Sequence, residues 1–110
     1  MAKSPTENSL AWLRAEGYVP WICEYYNAFS RKRVDMYGMF DLIGVGELGT
    51  IAIQTTSTGV AARVKKITDD EHAEALAACR KAGWTIHVHG WTSKKVGNRR
   101  HYRQRIVDLS

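Results

Sequence analysis

The sequence predicts an α/β fold in which helices flank one mixed sheet, with the element order α-β-β-β-α-β and an extra C-terminal strand. Two observations carry this prediction. Residues 18–56 contain three segments of aromatic, branched or alternating side chains separated by turn residues, a pattern typical of an antiparallel meander. Apolar residues at helical spacing follow this meander, and after them come two further strand-like segments. Elements in this order favour one layered α/β domain.

The N-terminal half is expected to hold a tail, a helix and the meander. Asn8 or Ser9 can cap the helix, because their side chains accept hydrogen bonds from free N–H groups, and Gly17 can end it. Pro20 favours an edge position for the first strand, since it has no N–H to donate. The predicted ranges are a flexible tail over 1–8, a helix up to 17, and strands over 18–27, 39–45 and 50–56.

The C-terminal half is expected to hold two helices and two strands. Val60, Val64 and Ile67 lie at i, i+4 and i+7, so a helix is predicted after Gly59. An Ala-rich and Leu-rich segment that stops at Gly83 predicts a second helix. The predicted ranges are this second helix over 71–82, a strand over 84–91, a basic segment over 93–105 and a strand over 105–109.

The composition indicates one globular domain, which we expect to span residues 9–110. The chain has 110 residues, 45% of them apolar and 25% charged, as is usual for folded proteins. No apolar run reaches the roughly 18 residues of a membrane span, so no membrane partner is expected. Cys23 and Cys79 lack metal or disulfide spacing, which indicates thiols in a reducing compartment and a cytoplasmic protein. His87 and His89 share a strand face without a third ligand at a suitable spacing, so no zinc site is expected.

Asp41, Gln54 and Thr56 form the candidate site. Asp41 interrupts an apolar run, and a buried carboxylate is unfavourable unless a donor or a cation accompanies it. Gln54 and Thr56 are two positions apart on the next predicted strand and therefore project from one face. A short turn between the strands should bring Asp41 close to both. The ordinary alternatives are that Asp41 pairs with Arg33 or a helix N-terminus, and that Gln54 and Thr56 are polar residues of a half-exposed strand.

This layout resembles the PD-(D/E)xK nuclease superfamily, with its restriction-endonuclease-like core, and is similar to small Holliday-junction-resolvase-like and phage nuclease-like members. The matching segments are residues 33–43, which hold the acid, and 51–57, which hold the Gln54-x-Thr56 motif. The resemblance implies that Asp41, Gln54 and the Thr55 carbonyl bind Mg²⁺ or Mn²⁺, for which hard oxygen ligands are suited. It also implies hydrolysis of phosphodiester bonds in DNA, a homodimer, and a bacterial or phage-infected host cell.

The motif departs from the family pattern in two places, because the second ligand is neutral and Thr56 stands where the family carries a lysine. The following helix offers Lys65 or Lys66 as a replacement cation. Glu24 or Asp35 could supply the lost acid, although Glu24 could also be a surface or ion-paired residue and Asp35 could form a loop salt bridge with Arg33. The alternative is a catalytically silent nuclease fold that binds nucleic acid or a partner protein.

The positive charge is clustered around the candidate site. The chain carries 16 Lys and Arg against 11 Asp and Glu, for a net charge of +5. The clusters lie before Asp41, in the helix after Gln54 and in the C-terminal segment, and they favour contacts with a phosphate backbone. DNA is therefore the expected partner, and a small structural or inhibitor protein with solubilising cations is the remaining alternative. The expected nucleic-acid-binding residues are Arg31, Lys32, Arg33, Arg63, Lys94, Lys95, Arg99, Arg100 and Arg103.

Overall fold

Alternating and helical segments of the chain form three α-helices, one 3₁₀ turn and seven strands within residues 3–110, which the computed structural model describes. The helices are α1 (Pro5–Ala15), α2 (Val60–Ile67) and α3 (Ala73–Lys81), and the 3₁₀ turn covers Asp70–His72. The strands are β1 (Val19–Ile22), β2 (Tyr25–Asn27), β3 (Lys32–Val34), β4 (Leu42–Gly46), β5 (Gly49–Thr56), β6 (Thr85–Val96) and β7 (Arg99–Asp108). In this part of the chain no helix has the length and apolar character that a membrane crossing requires.

Five strands form the main sheet in the order β1-β4-β5-β6-β7, while β2 and β3 pair in a separate hairpin. Strands β1, β4 and β5 are antiparallel neighbours. Strand β6 runs parallel to β5, because α2 and α3 return the chain to the starting edge of the sheet, and β7 pairs antiparallel with β6. The prediction of an α/β fold with a mixed sheet, flanking helices and an additional C-terminal strand is confirmed.

The helices cover opposite faces of the main sheet, because alternate residues of each strand point to opposite sides. On one face, Leu13 of α1 packs against buried residues of β4 and β5, which are Leu42, Ile51 and Ile53. On the other face, α2 and α3 cover Ala52, Ile86 and Val88 with Val60, Ile67 and Leu76. Residues of β5 therefore contact both layers, which explains why nearly all of this strand is buried.

Helix α1 begins earlier than predicted. The Ser4 side chain accepts a hydrogen bond from the Glu7 N–H at 3.1 Å, and Pro5 occupies the first helical position. Ser4 and Glu7 have the spacing of a capping box, a start signal that the prediction of a tail overlooked. Residues 5–8 therefore belong to the helix, and the first two residues of the predicted tail lie outside the described residues.

The strand predicted for residues 18–27 is wrong beyond Ile22. The Asp41 carbonyl accepts hydrogen bonds from the N–H groups of Cys23, at 2.7 Å, and of Glu24, at 3.3 Å. These bonds turn the chain away from the main sheet, so that the following residues form β2 and pair with β3. Aromatic and branched side chains on both sides conceal this break in the sequence, and the acceptor that causes it lies far along the chain.

The second predicted strand also begins too early. Residues 36–40 form a turn closed by a bridge between Met36 and Phe40, and β4 starts at Leu42. Tyr37 and Gly38 have φ angles of 57° and 70°, in the left-handed region that a strand does not use. The turn places Phe40 in the core and Asp41 at a bend immediately before β4.

Strand β5 and helix α2 agree with the strand predicted over 50–56 and the helix predicted after Gly59, but the C-terminal strands are longer than expected. Strand β6 continues to Val96 and β7 begins at Arg99, so the basic segment forms a β-hairpin. Gly97 has a φ of 62° in the two-residue turn, which is the conformation such hairpins favour at this position. The expected strand boundaries followed the apolar side chains, whereas the backbone pairing extends through the cations.

Candidate metal centre

Asp41 lies at the point where two strands of the main sheet meet. Its backbone N–H donates to the Ile53 carbonyl at 2.9 Å, which fixes the residue beside the carboxyl end of β5. The residue is only 5% exposed. The bend before β4 lets this carboxylate reach β5 residues from both faces of the strand.

Three hydrogen bonds converge on one oxygen of the Asp41 side chain. Oδ2 accepts from Gln54 Nε2 at 2.8 Å, from the Thr55 backbone N–H at 2.9 Å and from Thr55 Oγ1 at 3.0 Å. Among residues 3–110, no cation forms an ion pair with Asp41. Arg33 instead binds Glu24 at 2.7 Å. The alternative in which Asp41 pairs with Arg33 is therefore wrong.

Gln54 carries an unsatisfied acceptor beside this carboxylate. The residue is 2% exposed, its Nε2 donates to Asp41, and its Oε1 is buried without a hydrogen-bond partner among the described residues. An unsatisfied buried acceptor costs about 1–3 kcal/mol. Because a carboxylate only accepts hydrogen bonds, the Gln54 atom in contact with Asp41 is the amide nitrogen, and the buried oxygen is the atom without a partner. Carboxylate and amide oxygens both belong to the donor set that Mg²⁺ and Mn²⁺ prefer.

An open cleft of about 420 Å³ surrounds this pair and collects charges of both signs. Its charged lining residues are the acids Glu24, Asp35 and Asp41 and the cations Arg33, Arg63 and Lys66. Gln54 and Thr55 also line it, so all five residues that sequence analysis proposed as metal ligands are brought together here. Asp35 forms no ion pair with the described residues, contrary to the alternative of a loop salt bridge with Arg33.

The electrostatics of the cleft disfavour the ionised form of Asp41 in the metal-free protein. Burial is the largest cause that raises the pKa of Asp41, and the negative charges of Glu24 and Asp35 add to it. The hydrogen bonds from Thr55 lower the same pKa but do not outweigh burial. A divalent cation in the cleft would offset both the desolvation and the repulsion. The residues present thus fit a metal site.

Thr56, which occupies the position of the motif lysine, does not line the cleft. Its Oγ1 accepts a hydrogen bond from the Gly59 N–H at 3.0 Å and shapes the turn that leads into α2. Of the two lysines considered as replacements, Lys66 lines the cleft, whereas Lys65 is exposed and does not. Lys66 is therefore the lysine that lies at the cleft, and Arg63 one turn earlier lines it as well.

The other predicted nucleic-acid-binding residues lie outside the cleft. Arg31 and Lys32 are exposed on the β2–β3 hairpin, while the C-terminal cations are exposed on the β6–β7 hairpin. Sequence analysis also missed two contributors to the cleft. Pro5 and Thr6 of α1 line it, and Thr6 Oγ1 lies 3.4 Å from Thr55 Oγ1. Only the packing of α1 on the sheet brings Thr6 there, and no local sequence pattern indicates it.

His87 and His89 belong to a separate polar network. His89 Nδ1 lies 2.9 Å from Ser9 Oγ, which accepts a hydrogen bond from Trp91 Nε1 at 2.7 Å. His89 Nε2 lies 3.2 Å from His87 Nδ1, and His87 Nε2 lies 3.7 Å from the Asp108 carboxylate. Burial lowers the pKa of His89 to about 3, with the His87 ring as the second cause. Both ring nitrogens of His89 are occupied within the protein.

One further group of metal-ligating side chains lies at the 3₁₀ turn. Ligand atoms of Asp69, Glu71 and His72 all lie within 4.8 Å of one another, so this acidic cluster could hold a metal ion. His72 Nδ1 is already within 2.8 Å of both Asp69 Oδ1 and the Lys66 carbonyl. The cleft around Asp41 differs from this cluster because it combines a buried acid with two further acids and three cations.

Comparisons of this chain with family models, curated proteins and solved structures found no match. Its function must therefore be inferred from its own residues.

Proposed function

We propose that this protein is a Mg²⁺- or Mn²⁺-dependent DNA endonuclease of the PD-(D/E)xK type. The observation that carries the proposal is a cleft that brings the buried Asp41 carboxylate and the neighbouring Gln54 together with two more acids and three cations. The order α1, β1, β4, β5, α2, β6 around the main sheet is consistent with the α-β-β-β-α-β core that the sequence resemblance implies.

The acidic side of the cleft would hold the metal ion. Asp41 and Gln54 are the expected direct ligands, together with the Thr55 backbone carbonyl, and Glu24 and Asp35 supply the negative charge that the neutral Gln54 lacks. A metal ion bound here would lower the pKa of a coordinated water molecule and stabilise the charge that develops on the phosphate. The hydrogen bonds from Thr55 hold Asp41 in position for this role.

The basic side of the cleft would hold the scissile phosphate. Lys66 takes the place of the missing motif lysine, since it reaches the cleft from α2 rather than from β5. Preorganised cations of this kind stabilise developing negative charge without a reorganisation of solvent. Arg63 lies one turn before Lys66 and offers a second contact to a phosphate oxygen.

A cleavage assay with Mg²⁺ and with Mn²⁺ on four-way junction, nicked and linear DNA tests this proposal. We expect metal-dependent cleavage that Asp41→Ala abolishes, while Asp70→Ala, which removes an exposed acid outside the cleft, leaves the rate unchanged. Absence of cleavage with either metal on all three substrates would contradict the catalytic proposal. The same preparation analysed by light scattering measures whether the implied homodimer forms.

A second candidate function is a catalytically silent nuclease fold that binds nucleic acid. The observation that favours it is Thr56, which fills the motif position with a hydroxyl engaged in the turn before α2. This candidate predicts DNA binding without cleavage and no effect of Asp41→Ala on affinity. A gel-shift titration run beside the cleavage assay separates the two functions.

A further inference from the structure

The β6–β7 hairpin leaves the main sheet at the end that carries the candidate metal centre. Thr56, the last residue of β5, pairs with Gly90, and β6 then continues to Val96 with only β7 beside it. Because a strand rises about 3.4 Å per residue, residues 91–96 extend the hairpin about 20 Å beyond β5. Asp41 and Gln54 lie at this same carboxyl end of β5. The hairpin therefore projects from the edge of the cleft region.

The pairing register divides the side chains of the hairpin between two faces, since residues directly opposite one another share a face. Gly90 pairs with Arg105, and a side chain at Gly90 would collide with Val60 of α2. We call the side of the hairpin that includes this position the α2 face. Its other members are Thr92, Lys94, Val96, Arg99, His101 and Arg103. The opposite face, here the α1 face, carries Trp91, Ser93, Lys95, Arg100, Tyr102 and Gln104.

The α1 face is engaged with the protein itself. The Tyr102 hydroxyl accepts a hydrogen bond from the Lys3 backbone N–H at 2.6 Å, and Trp91 Nε1 donates to Ser9 Oγ of α1 at 2.7 Å. Arg100 also donates a hydrogen bond to Ser93 on the neighbouring strand at 3.0 Å. Tyr102, Trp91 and Arg100 on this side thus already have partners, whereas Gln104 Nε2 is buried without one among the described residues.

The α2 face has four cations and no compensating acid. No Asp or Glu occurs between residues 90 and 107. Lys94, Arg99, Arg103 and Arg105 form no ion pair with any residue in the described range 3–110. Side chains of one sign along an exposed two-stranded ribbon create a positive stripe, and a phosphate backbone is the partner whose charge complements it.

Helix α2 connects this stripe to the metal cleft. Arg103 and Arg105 line a groove of about 410 Å³ together with the start of α2 at Val60 and Ala61. Arg63 of the same helix lines the metal cleft. A polyanion lying on the α2 face can therefore continue along one helix into the cleft.

We propose that the α2 face of the hairpin binds the phosphate backbone of double-stranded DNA and directs it across the metal cleft. This inference rests on the proposed function for the identity of the nucleic acid. A two-stranded ribbon is narrow enough to lie along or within the major groove of B-DNA. The α1 face does not take part, which distinguishes this inference from general attraction to the basic segment.

The two faces allow a test in which equal charge is removed from each side. R99A/R103A removes two cations from the α2 face, and K95A/R100A removes two from the α1 face. Affinity for a short fluorescent DNA duplex is measured by anisotropy in EDTA over a series of salt concentrations. We expect R99A/R103A to lower the slope of log K against log salt by about 2, one for each lost phosphate contact. The slope of K95A/R100A should fall by less than half as much.

Several outcomes would overturn the inference. These are equal losses in the two double variants, no loss in R99A/R103A, or a larger loss in K95A/R100A. Equal affinity and equal salt dependence for an RNA duplex would overturn the assignment to DNA. Far-ultraviolet circular dichroism checks folding, and the single substitutions R103Q and R100Q repeat the comparison if a double variant does not fold. Binding is measured without metal, so the outcome does not depend on cleavage. If R99A/R103A loses DNA affinity and K95A/R100A does not, this inference holds even for a protein that never cleaves DNA. Only the nuclease proposal would then be contradicted.

Discussion

Lowering the pH from 7 to 5 should remove about 2 kcal/mol of folding free energy through the single buried ring of His89. This ring is fully buried between α1 and the sheet, where Trp12 packs edge-on at a centroid distance of 4.8 Å. Burial lowers the pKa of His89 from its usual 6.5 to about 3. The unfolded chain therefore binds a proton that the native protein excludes, and stability falls as the pH drops from about 6.5 towards 3.

The magnitude follows from proton linkage. With a pKa of 6.5 in the unfolded chain and about 3 in the native protein, protonation shifts the folding equilibrium about 25-fold between pH 7 and pH 5, or about 2 kcal/mol. Burial also lowers the pKa of His87, which acts in the same direction. The raised pKa of Asp41 has the opposite effect, because the native protein then binds the proton more readily than the unfolded chain.

Urea unfolding at pH 7 and at pH 5 measures this loss. In His89→Gln, the difference in unfolding free energy between the two pH values should shrink by about 2 kcal/mol relative to the unmodified protein. His101→Gln, on the exposed part of the hairpin, serves as the matched control and should leave the difference unchanged. If His89→Gln keeps the full pH dependence, the buried ring is not its source and the linkage argument fails.

Three more predictions concern the cleft and the sheet. Asp41→Asn should raise the unfolding free energy in EDTA, because burial and the acids Glu24 and Asp35 disfavour the charge of Asp41. The same variant should lose the stabilisation by Mn²⁺, which is expected to be roughly 2.7 kcal/mol at 100 times the dissociation constant. Thermal denaturation with and without Mn²⁺ measures both effects. Lys66→Ala should lower the cleavage rate at least 100-fold under single-turnover conditions, whereas Lys65→Ala should not change it. Gly90→Ala should destabilise the protein by about 1–3 kcal/mol through its collision with Val60, and in urea unfolding the double variant G90A/V60A should lose less than the two single variants together.

Each of these predictions has a clear contrary result. Retention of the full Mn²⁺ effect in Asp41→Asn would place the metal elsewhere, with the cluster at the 3₁₀ turn as the next location to test. Equal cleavage rates in the two lysine variants would remove Lys66 from the proposed site. Additive losses in the G90A/V60A cycle would mean that the two residues do not compete for the same space.

The central part of the site was predictable from the sequence because it depends on local pairing. A short turn joins β4 to β5, so the position of Asp41 relative to Gln54 follows from strand register alone. Helical spacing likewise located α2, and with it Arg63 and Lys66. The choice between Lys65 and Lys66 could not be made, since it depends on how α2 rotates as it packs on the sheet.

The features that the sequence did not reveal depend on contacts between distant residues. The break between β1 and β2 arises because the Asp41 carbonyl accepts hydrogen bonds from the N–H groups of Cys23 and Glu24. Asp41 lies 18 positions after Cys23 and 17 positions after Glu24 in the sequence. Thr6 reaches the cleft only because α1 packs on β5. The role of the Thr55 side chain was also missed, because strict alternation assigns it to the face opposite Gln54, and only the bend at Asp41 brings both to one carboxylate.

The hairpin beyond β5 can change its length independently of the cleft. From residue 92 to residue 103 its strands pair only with each other, and Gly97 closes it with a tight turn. Two residues added to each strand beside this turn would lengthen the arm by about 7 Å and keep every existing side chain on its face, because the strand repeat is two residues. One residue added to each strand would instead reverse the faces at the tip. The length of the hairpin is thus adjustable in steps of one strand repeat, while Asp41 and Gln54 stay where the sheet holds them.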